Sequence, residues 1–364
     1  MLKLVAALWL SLGMVQCAEA EQTLRILTWE GYVTAEDLVV INRDLAERGL
    51  AVRAEVIDPY AEGPEQMFML LRAGRADLSF LTLNYLKMQQ GRMTDLLQAI
   101  DPTRLRLFNQ LLPQLAHLDM GKDGARLLYV PFGGGTYGIW ANMQRLNKDE
   151  LPQRLSDLLQ PHWKGKLSLT SGQVQPNIAM AFLALGEQPF LLHDLMRAGR
   201  RKEAKLMAAA DGPAQYFLDR LYTQVGEFWE SAPQFGSDQL LVASYGPEIA
   251  DRRKRGEDWQ RVEFAEGDTT WLDTMNIVKG VSGDKLDAAY LVMDHFLSEA
   301  VQRRVVQELN MVAVVSSVDN PMLAANPELF STERFWPPYD RTADNLMLNM
   351  SRHALRSRLP ANEP

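Results

Sequence analysis

Apolar and polar positions alternate along this chain in an order that changes period repeatedly. Thr23-Leu24-Arg25-Ile26-Leu27-Thr28-Trp29 alternates with a period near two and predicts a strand. Thr34-Ala35-Glu36-Asp37 then supplies a capping-box-like start to a helix through Leu45. Leu50 to Ile57 predicts a second strand, about Glu65 to Arg72 a helix, Asp77 to Leu81 a short apolar strand, and another helix begins near Asn84. This β-α-β-α-β order predicts an α/β fold whose sheets are mostly parallel and flanked by helices, with ligands at the carboxyl ends of strands. Two turns at such ends, Trp29-Glu30-Gly31-Tyr32 and Leu81-Thr82-Leu83-Asn84-Tyr85, make Trp29, Tyr32 and Tyr85 candidates for a shared pocket.

A second unit starts around Gly138, with strands at Ile139 to Asn142, Lys166 to Thr170 and Leu240 to Tyr245 and a helix from about Asn177 to Leu185. Thr270 to Lys279 is a further strand, followed by helical patterns at Lys285 to Leu297 and Val301 to Leu309. No repeat and no Pro/Gly/Ser-rich linker separates independent domains, so two lobes joined by short crossings fit better. At the N-terminus, Lys3 precedes an apolar run from Leu4 to Val15 and the small-x-small triplet Ala18-Glu19-Ala20. Residues 1–20 are therefore expected to be a cleavable signal, the run being too short for a spanning helix. Cys17 follows Gln16, not the small residue a lipid-attachment site wants.

Cys17 is the sole cysteine, so cleavage leaves no disulfide, thiolate nucleophile or cysteine metal ligand. With 364 residues, 47% of them apolar, there is material for two packed lobes. The formal charge of -8 argues against nucleic acid or anionic membrane as partner and mildly favours cationic ligands.

Chemistry-bearing motifs are few. Gly133-Gly134-Gly135-Thr136-Tyr137-Gly138 matches Gly-x-Gly-x-x-Gly, but the residues after it form a strand pattern where a dinucleotide site requires a helix. A flexible or sharply turned crossing between lobes is the better reading. His117, His162, His193, His295 and His353 are dispersed without metal-ligand spacing, and no Gly-x-Ser-x-Gly elbow is present, so no metal, cofactor or catalytic set is expected. Trp271-Leu272-Asp273 is more informative. Residues two apart on a strand share a face, and an aromatic ring beside a carboxylate suits an alkylammonium. The plainer alternative is a half-buried strand with a salt-bridged Asp.

In their order these motifs resemble the periplasmic spermidine/putrescine-binding proteins of polyamine ABC transporters. The resemblance runs through Leu24-Arg25-Ile26-Leu27-Thr28-Trp29-Glu30-Gly31-Tyr32-Val33, Ala76-Asp77-Leu78 before Lys87-Met88, and Val130-Pro131-Phe132 with the glycines and Asn142. It continues through Trp163-Lys164-Gly165-Lys166 and Trp271-Leu272-Asp273. It implies a two-lobed periplasmic binding protein fold closing about a hinge on ligand held in the cleft. The first lobe would comprise residues 21–137 and 273–315, the second 138–272 and 316–364. Trp29 and Trp271 match the family's aromatic cleft residues and Asp273 the carboxylate that holds an amino group.

Two departures put the ligand in question. Where the resemblance implies two acids after the Lys-Gly strand, Ser171-Gly172-Gln173-Val174-Gln175-Pro176 places Gln173 and Pro176, and where it implies a tryptophan, Ala243-Ser244-Tyr245-Gly246 places Ser244 beside Tyr245. A monoamine, a polyamine held differently, or an unrelated ligand all stay open, with Glu30, Asp238 and Glu248 as candidate substitutes. The expectation is a monomeric, non-enzymatic receptor in the periplasm that captures a small cationic amine, with Trp29, Tyr32, Tyr85, Gln173, Tyr245, Trp271 and Asp273 as site residues. Its macromolecular partner is an ABC permease or, alternatively, a membrane sensor protein. An enzyme would need a carboxylate pair assembled by folding.

Overall fold

The computed structural model describes residues 21–358, so the expected signal lies outside the described residues. β1 (Gln22–Leu27) buries Leu24 and Ile26, and β2 (Val52–Val56) turns Val52 and Ala54 inward and Arg53 and Glu55 outward, as a period of two requires. Between them, the helix Ala35–Glu47 opens on a capping box. Thr34 Oγ1 accepts from Asp37 N at 3.1 Å, and Asp37 Oδ2 accepts from Thr34 N at 2.9 Å. The helix Pro64–Arg72 leads into β3 (Leu78–Thr82). The helix expected near Asn84 does not form. Short helical turns at Leu83–Tyr85, Gln89–Gly91 and Arg92–Asp95 replace it, because Gln89, Gln90 and Gly91 all take positive φ and interrupt any right-handed run.

A small hairpin of β4 (Lys122–Asp123) and β5 (Arg126–Leu127) precedes β6 (Val130–Thr136), and Tyr137 alone separates β6 from β7 (Gly138–Asn142). The second unit contains β8 (Leu167–Thr170), β9 (Val225–Trp229), β10 (Leu241–Ser244) and β11 (Trp259–Arg261). The chain then returns through β12 (Thr270–Ile277) and ends its sheet contribution at β13 (Val312–Ala313). The first sheet has the order β13-β6-β12-β3-β1-β2 and the second β11-β7-β10-β8-β9. Both are α/β sheets with a parallel majority. β1, β2, β3 and β6 run together against β12 and β13, and in the second sheet β7 alone opposes the rest.

Each sheet has its own core. Leu24, Phe80, Phe132, Met275 and Phe296 pack in one; Trp163, Phe182, Leu218, Tyr222 and Leu241 pack in the other. The C-terminal helix Arg341–Ser357 puts Ala343, Met347, Met350 and Ala354 into the second core, at the spacing of one helical face. The stretch before it departs from the expected division, which gave everything after residue 315 to the second lobe: Val318, Leu329, Phe330 and Phe335 belong to the first core. Phe330 stacks on Phe335 at 5.8 Å, while the next residue, Trp336, packs on the second core. The chain thus crosses between cores at β6/β7, between β11 and β12, and again over residues 335–343, where Trp336 packs on the second core, Tyr339 on the first and the C-terminal helix on the second. No helix among the described residues is long and apolar enough to cross a membrane.

The glycine run is strand, not turn. Gly133, Gly134 and Gly135 lie inside β6, buried and paired with β12. Crowding requires glycine at Gly134, where a Cβ would stand 2.6 Å from the Trp271 carbonyl oxygen and 3.1 Å from the Phe330 ring, while the Trp271 indole covers Gly135 at an ordinary contact distance of 3.4 Å. The nearest atom to Gly134 belongs to backbone, which has nowhere to go. Gly134→Ala is therefore expected to destabilise the protein by about 1–3 kcal/mol, the usual cost of overpacking. Gly133→Ala, whose nearest neighbour is the flexible end of Met311, should cost less. Urea denaturation of both variants checks the order, and an unchanged Gly134→Ala midpoint would contradict it.

Candidate functional site

Asp273 sits in the middle of β12, opposite Gly133 on one side and Thr82 on the other. The pairing of β12 with β6 slips a register at Asp273/Thr274, opposite Pro131, whose ring nitrogen has no hydrogen for the ladder. With a glycine opposite it, the Asp273 side chain meets no cross-strand neighbour on that flank. It is 3% exposed, and its Oδ2 accepts a 2.5 Å hydrogen bond from the Tyr32 hydroxyl. Oδ1 has no partner among the described residues. Tyr32 is brought there by the turn after β1: Gly31 takes φ 81°, and Tyr32 N donates to the Trp29 carbonyl at 3.3 Å.

Rings from both lobes surround this carboxyl. Tyr245, at the end of β10, meets Trp271 edge-on at 6.2 Å and Tyr137 at 5.1 Å, and Trp229 lies 6.4 Å from Tyr137. The Tyr137 hydroxyl donates to Asn177 Oδ1 and accepts from Thr170 N, both at 3.2 Å, which fixes this ring on the second lobe. Tyr245 Oη donates to Gln173 Oε1 at 3.1 Å. The charge of Asp273 acts on both Tyr85 and Tyr245. The structure therefore brings together Tyr32, Tyr85, Gln173, Tyr245, Trp271 and Asp273. Trp29 is half-buried at the head of the same turn, its indole nitrogen unpartnered among the described residues.

Burial dominates the electrostatics. It pushes the Asp273 carboxyl from 3.8 up to about 6, although the Tyr32 and Thr82 hydroxyls pull it back. Burial, with the Asp273 charge added, raises the Tyr32 and Tyr85 phenols, so both remain protonated donors at neutral pH. Tyr245 is raised by burial and by the nearby Tyr85 and Asp273.

A second group of polar side chains, not picked out from sequence, lies near Tyr85. The Tyr339 ring packs edge-on against Tyr85 at 6.3 Å, and its hydroxyl donates to Asp344 Oδ2 at 3.2 Å. Asp344 also accepts from Gln175 Nε2, and Gln89 Nε2 donates to both oxygens of Glu65 at 3.0 and 3.1 Å. Burial raises Tyr339, and Asp344 and Glu65 raise it further. Burial likewise raises Asp344, with Glu65 adding to the shift. The only sequence signal for Asp344 is the Asp340 cap that starts its helix, through bonds to Thr342 N and Ala343 N.

The suggested substitutes lie elsewhere: Glu30 and Asp238 are exposed, and Glu248 accepts from Ser244 Oγ at 2.7 Å. Pro176 opens the helix Gln175–Ala184 and lines a separate cavity of about 200 Å³ with Tyr137, Met180, Arg261, Asp268 and Arg334. That cavity holds an ion network, Arg261 and Arg334 on Asp268, and lacks the aromatic wall around Asp273. Among the described residues, no group of three or more His, Cys, Asp or Glu side chains is placed to hold a metal ion.

Two α/β lobes, three crossings and a cluster of polar and aromatic side chains drawn from both lobes are the features of a two-lobed solute-binding protein. Residues 88–341 match the family of bacterial extracellular solute-binding proteins, and the chain belongs to it. Among solved structures it is similar to the spermidine/putrescine ABC transporter substrate-binding protein PotD of Streptococcus pneumoniae (TM-score 0.70, 16% identity, covering 93% of this chain and 100% of that one). It is also similar to the Tp0655 (TpPotD) lipoprotein of Treponema pallidum (TM-score 0.68, 13% identity, 92% and 99%). Iron-bound HitA of Pseudomonas aeruginosa shares the fold as well (TM-score 0.54, 16% identity, 93% and 98%). No curated protein sequence matches the chain. At such identities these likenesses establish the fold, and the cargo has to be argued from the site.

The raised carboxyl has a consequence for stability. A group that holds its proton more tightly folded than unfolded favours the folded state at low pH and opposes it once ionised. The displacement of Asp273 from 3.8 to about 6 corresponds to roughly 3 kcal/mol lost above pH 6 and recovered as pH falls toward 4. Asp273→Asn is therefore expected to be more stable than the parent at neutral pH, the gain vanishing near pH 4. Chemical denaturation at the two pH values tests this. A variant that is less stable at both would show the charge is compensated within the protein.

Proposed function

We propose that the protein is an extracytoplasmic receptor that captures a small cationic amine between its lobes and delivers it to an ABC permease. The observation that carries this reading is Asp273: a carboxyl 3% exposed, with one oxygen unpartnered, among Tyr32, Tyr85, Tyr245 and Trp271. A buried carboxylate lacking a counter-charge is costly, and an ammonium supplies both the charge and the missing hydrogen bonds. The rings suit an alkylammonium as a whole, since an aromatic face attracts the cation and packs on its methylenes. Tyr245 and Trp271 come from different lobes, so a ligand bridging them would favour closure. Gln173 is a neutral acceptor for the Tyr245 hydroxyl and contributes shape, not charge. Delivery to a permease and residence in the periplasm rest on the family and the N-terminal signal pattern.

Titration calorimetry of the protein lacking residues 1–20 against alkylamines, polyamines and amino acids is expected to show saturable binding of cationic amines. Asp273→Asn should weaken it by on the order of a hundredfold or more, the usual consequence of breaking a buried ion pair. In the parent protein, affinity should fall as pH drops through about 6, where Asp273 takes up a proton. Absence of binding to every cationic amine would end this reading.

A further inference from the structure

We infer that the cavity beside the β11–β12 crossing is a second ligand site, taking a small monocarboxylic acid with a short alkyl tail, and that its occupancy is felt at the Asp273 cluster through Tyr137. The site does not depend on what that cluster binds.

The walls of this cavity come from both lobes. Ile139, Leu155 and Val262 belong to the second core, whereas Asn326 and Arg334 stand on the stretch whose Leu329, Phe330 and Phe335 pack into the first. Gly138 leaves room for the Arg261 side chain, since a Cβ there would lie 3.2 Å from Arg261 Nε. The cavity encloses about 200 Å³. An apolar cavity of about 150 Å³ accepts a benzene ring, so a six-carbon acid has space here.

Its enclosed charges do not balance. The side chains of Arg261, Asp268 and Arg334 are 12%, 15% and 28% exposed, two cations to one acid. Glu263 reaches Arg261 Nη1 at 3.2 Å, but its own side chain is 67% exposed and screened by water. Burial lowers the Arg261 guanidinium below its ordinary range and the Arg334 charge adds to this, against the pull of Glu263. Arg261 commits its Nη donors to Glu263 and Asp268. Arg334 does not: its only side-chain hydrogen bond among the described residues is Nη1 to Asp268 at 3.4 Å, which leaves most of a five-donor fork unused. Thr269, 5% exposed, also lines the cavity, and its hydroxyl has no partner among the described residues.

A carboxylate supplies what is missing: a two-pronged acceptor for Arg334, an acceptor for the Thr269 hydroxyl, and one negative charge against a surplus of one positive. A phosphate dianion would overshoot that surplus. The apolar tail is met by the helix Gln175–Ala184, whose Ala179, Met180 and Leu183 line the cavity with Leu155. Tyr137 is the shared wall: it lines the cavity and also meets Tyr245 at 5.1 Å, and Tyr245 meets Trp271 at 6.2 Å. A ligand joining Arg334 to the helix of the other lobe makes contacts that change when the lobes move, which is the condition for linkage between two sites.

The test uses hexanoate, acetate and hexanol as probes, by calorimetry and by fluorine NMR of fluorotyrosine-labelled protein, with circular dichroism verifying the fold of each variant. The parent should bind hexanoate saturably and at least about tenfold more tightly than acetate, which lacks the tail, or hexanol, which lacks the charge. Arg334→Gln should lose at least about tenfold toward hexanoate. Thr269→Val, which exchanges one hydroxyl for a methyl, should lose about threefold and decides the question if Arg334→Gln does not fold. Hexanoate should move the Tyr137 and Tyr245 resonances, identified from Tyr137→Phe and Tyr245→Phe, and should leave them in place in Arg334→Gln. No saturable hexanoate binding, or binding that Arg334→Gln and Thr269→Val leave unchanged, overturns the site. Equal affinity for hexanol overturns its choice of an acid, and binding that leaves Tyr245 unmoved overturns the coupling. The amine receptor stands or falls separately, by the calorimetry at Asp273.

Discussion

The pairing of β6 with β12 is the constraint on which the rest of the molecule depends. These two strands lie side by side in the first sheet, and each runs directly or through a short loop into the second lobe. Their close approach requires a side-chain-free residue at Gly134, because the Trp271 backbone and the Phe330 ring occupy the space a methyl group would need. The β6 glycines form the surface against which the Trp271 indole lies, and the register slip beside Pro131 sets Asp273 opposite Gly133. Crossing, aromatic wall and carboxylate are thus three aspects of one strand pair. A change that loosens the pair would alter all three together.

How much of this is legible in the residue order depends on the range of each interaction. Elements held by local rules are readable: the alternation of β1 and β2, the capping box at Thr34, and the shared face of Trp271 and Asp273. The two-lobed fold is readable through the order of motifs. The glycine run reads as a turn because composition reveals only that glycine tolerates unusual angles, whereas its role here is to admit atoms more than a hundred positions away. The helix expected after Asn84 fails at Gln89 and Gln90, whose left-handed geometry has no local sequence cause. Asp344, Glu65 and Tyr339 carry no motif at all. Asp344 stands out by burial without a counter-charge among the described residues, a property that exists only once the chain has folded.

On the proposed reading, stability and binding pull in opposite directions at Asp273. A hydrophobic or neutral residue of similar size would spare the fold the burden of an ionised group in an aromatic enclosure. The surrounding tyrosines reduce that burden only in part: Tyr32 offers one short hydrogen bond, and the other carboxylate oxygen is left without a partner. Elsewhere the protein solves the same problem internally, with Arg304 and His295 on Asp37 and with Arg25 and Lys285 on Asp77. The difference between those neutralised carboxylates and Asp273 sets Asp273 apart more clearly than residue type does.

Tyr137 has a mechanical consequence. It is the only residue between a strand of one sheet and a strand of the other, and its ring and hydroxyl are both engaged, by Tyr245 and Trp229 and by Asn177 and Thr170. At this crossing the lobes have almost no slack in contour length, so relative motion reduces to rotation about a few backbone torsions, with negligible translation. Phe335 and Trp336, adjacent residues anchored in different cores, impose a second short tether. With the longer β11–β12 connection as a further link, tethers this short favour rotation of one lobe against the other over sliding.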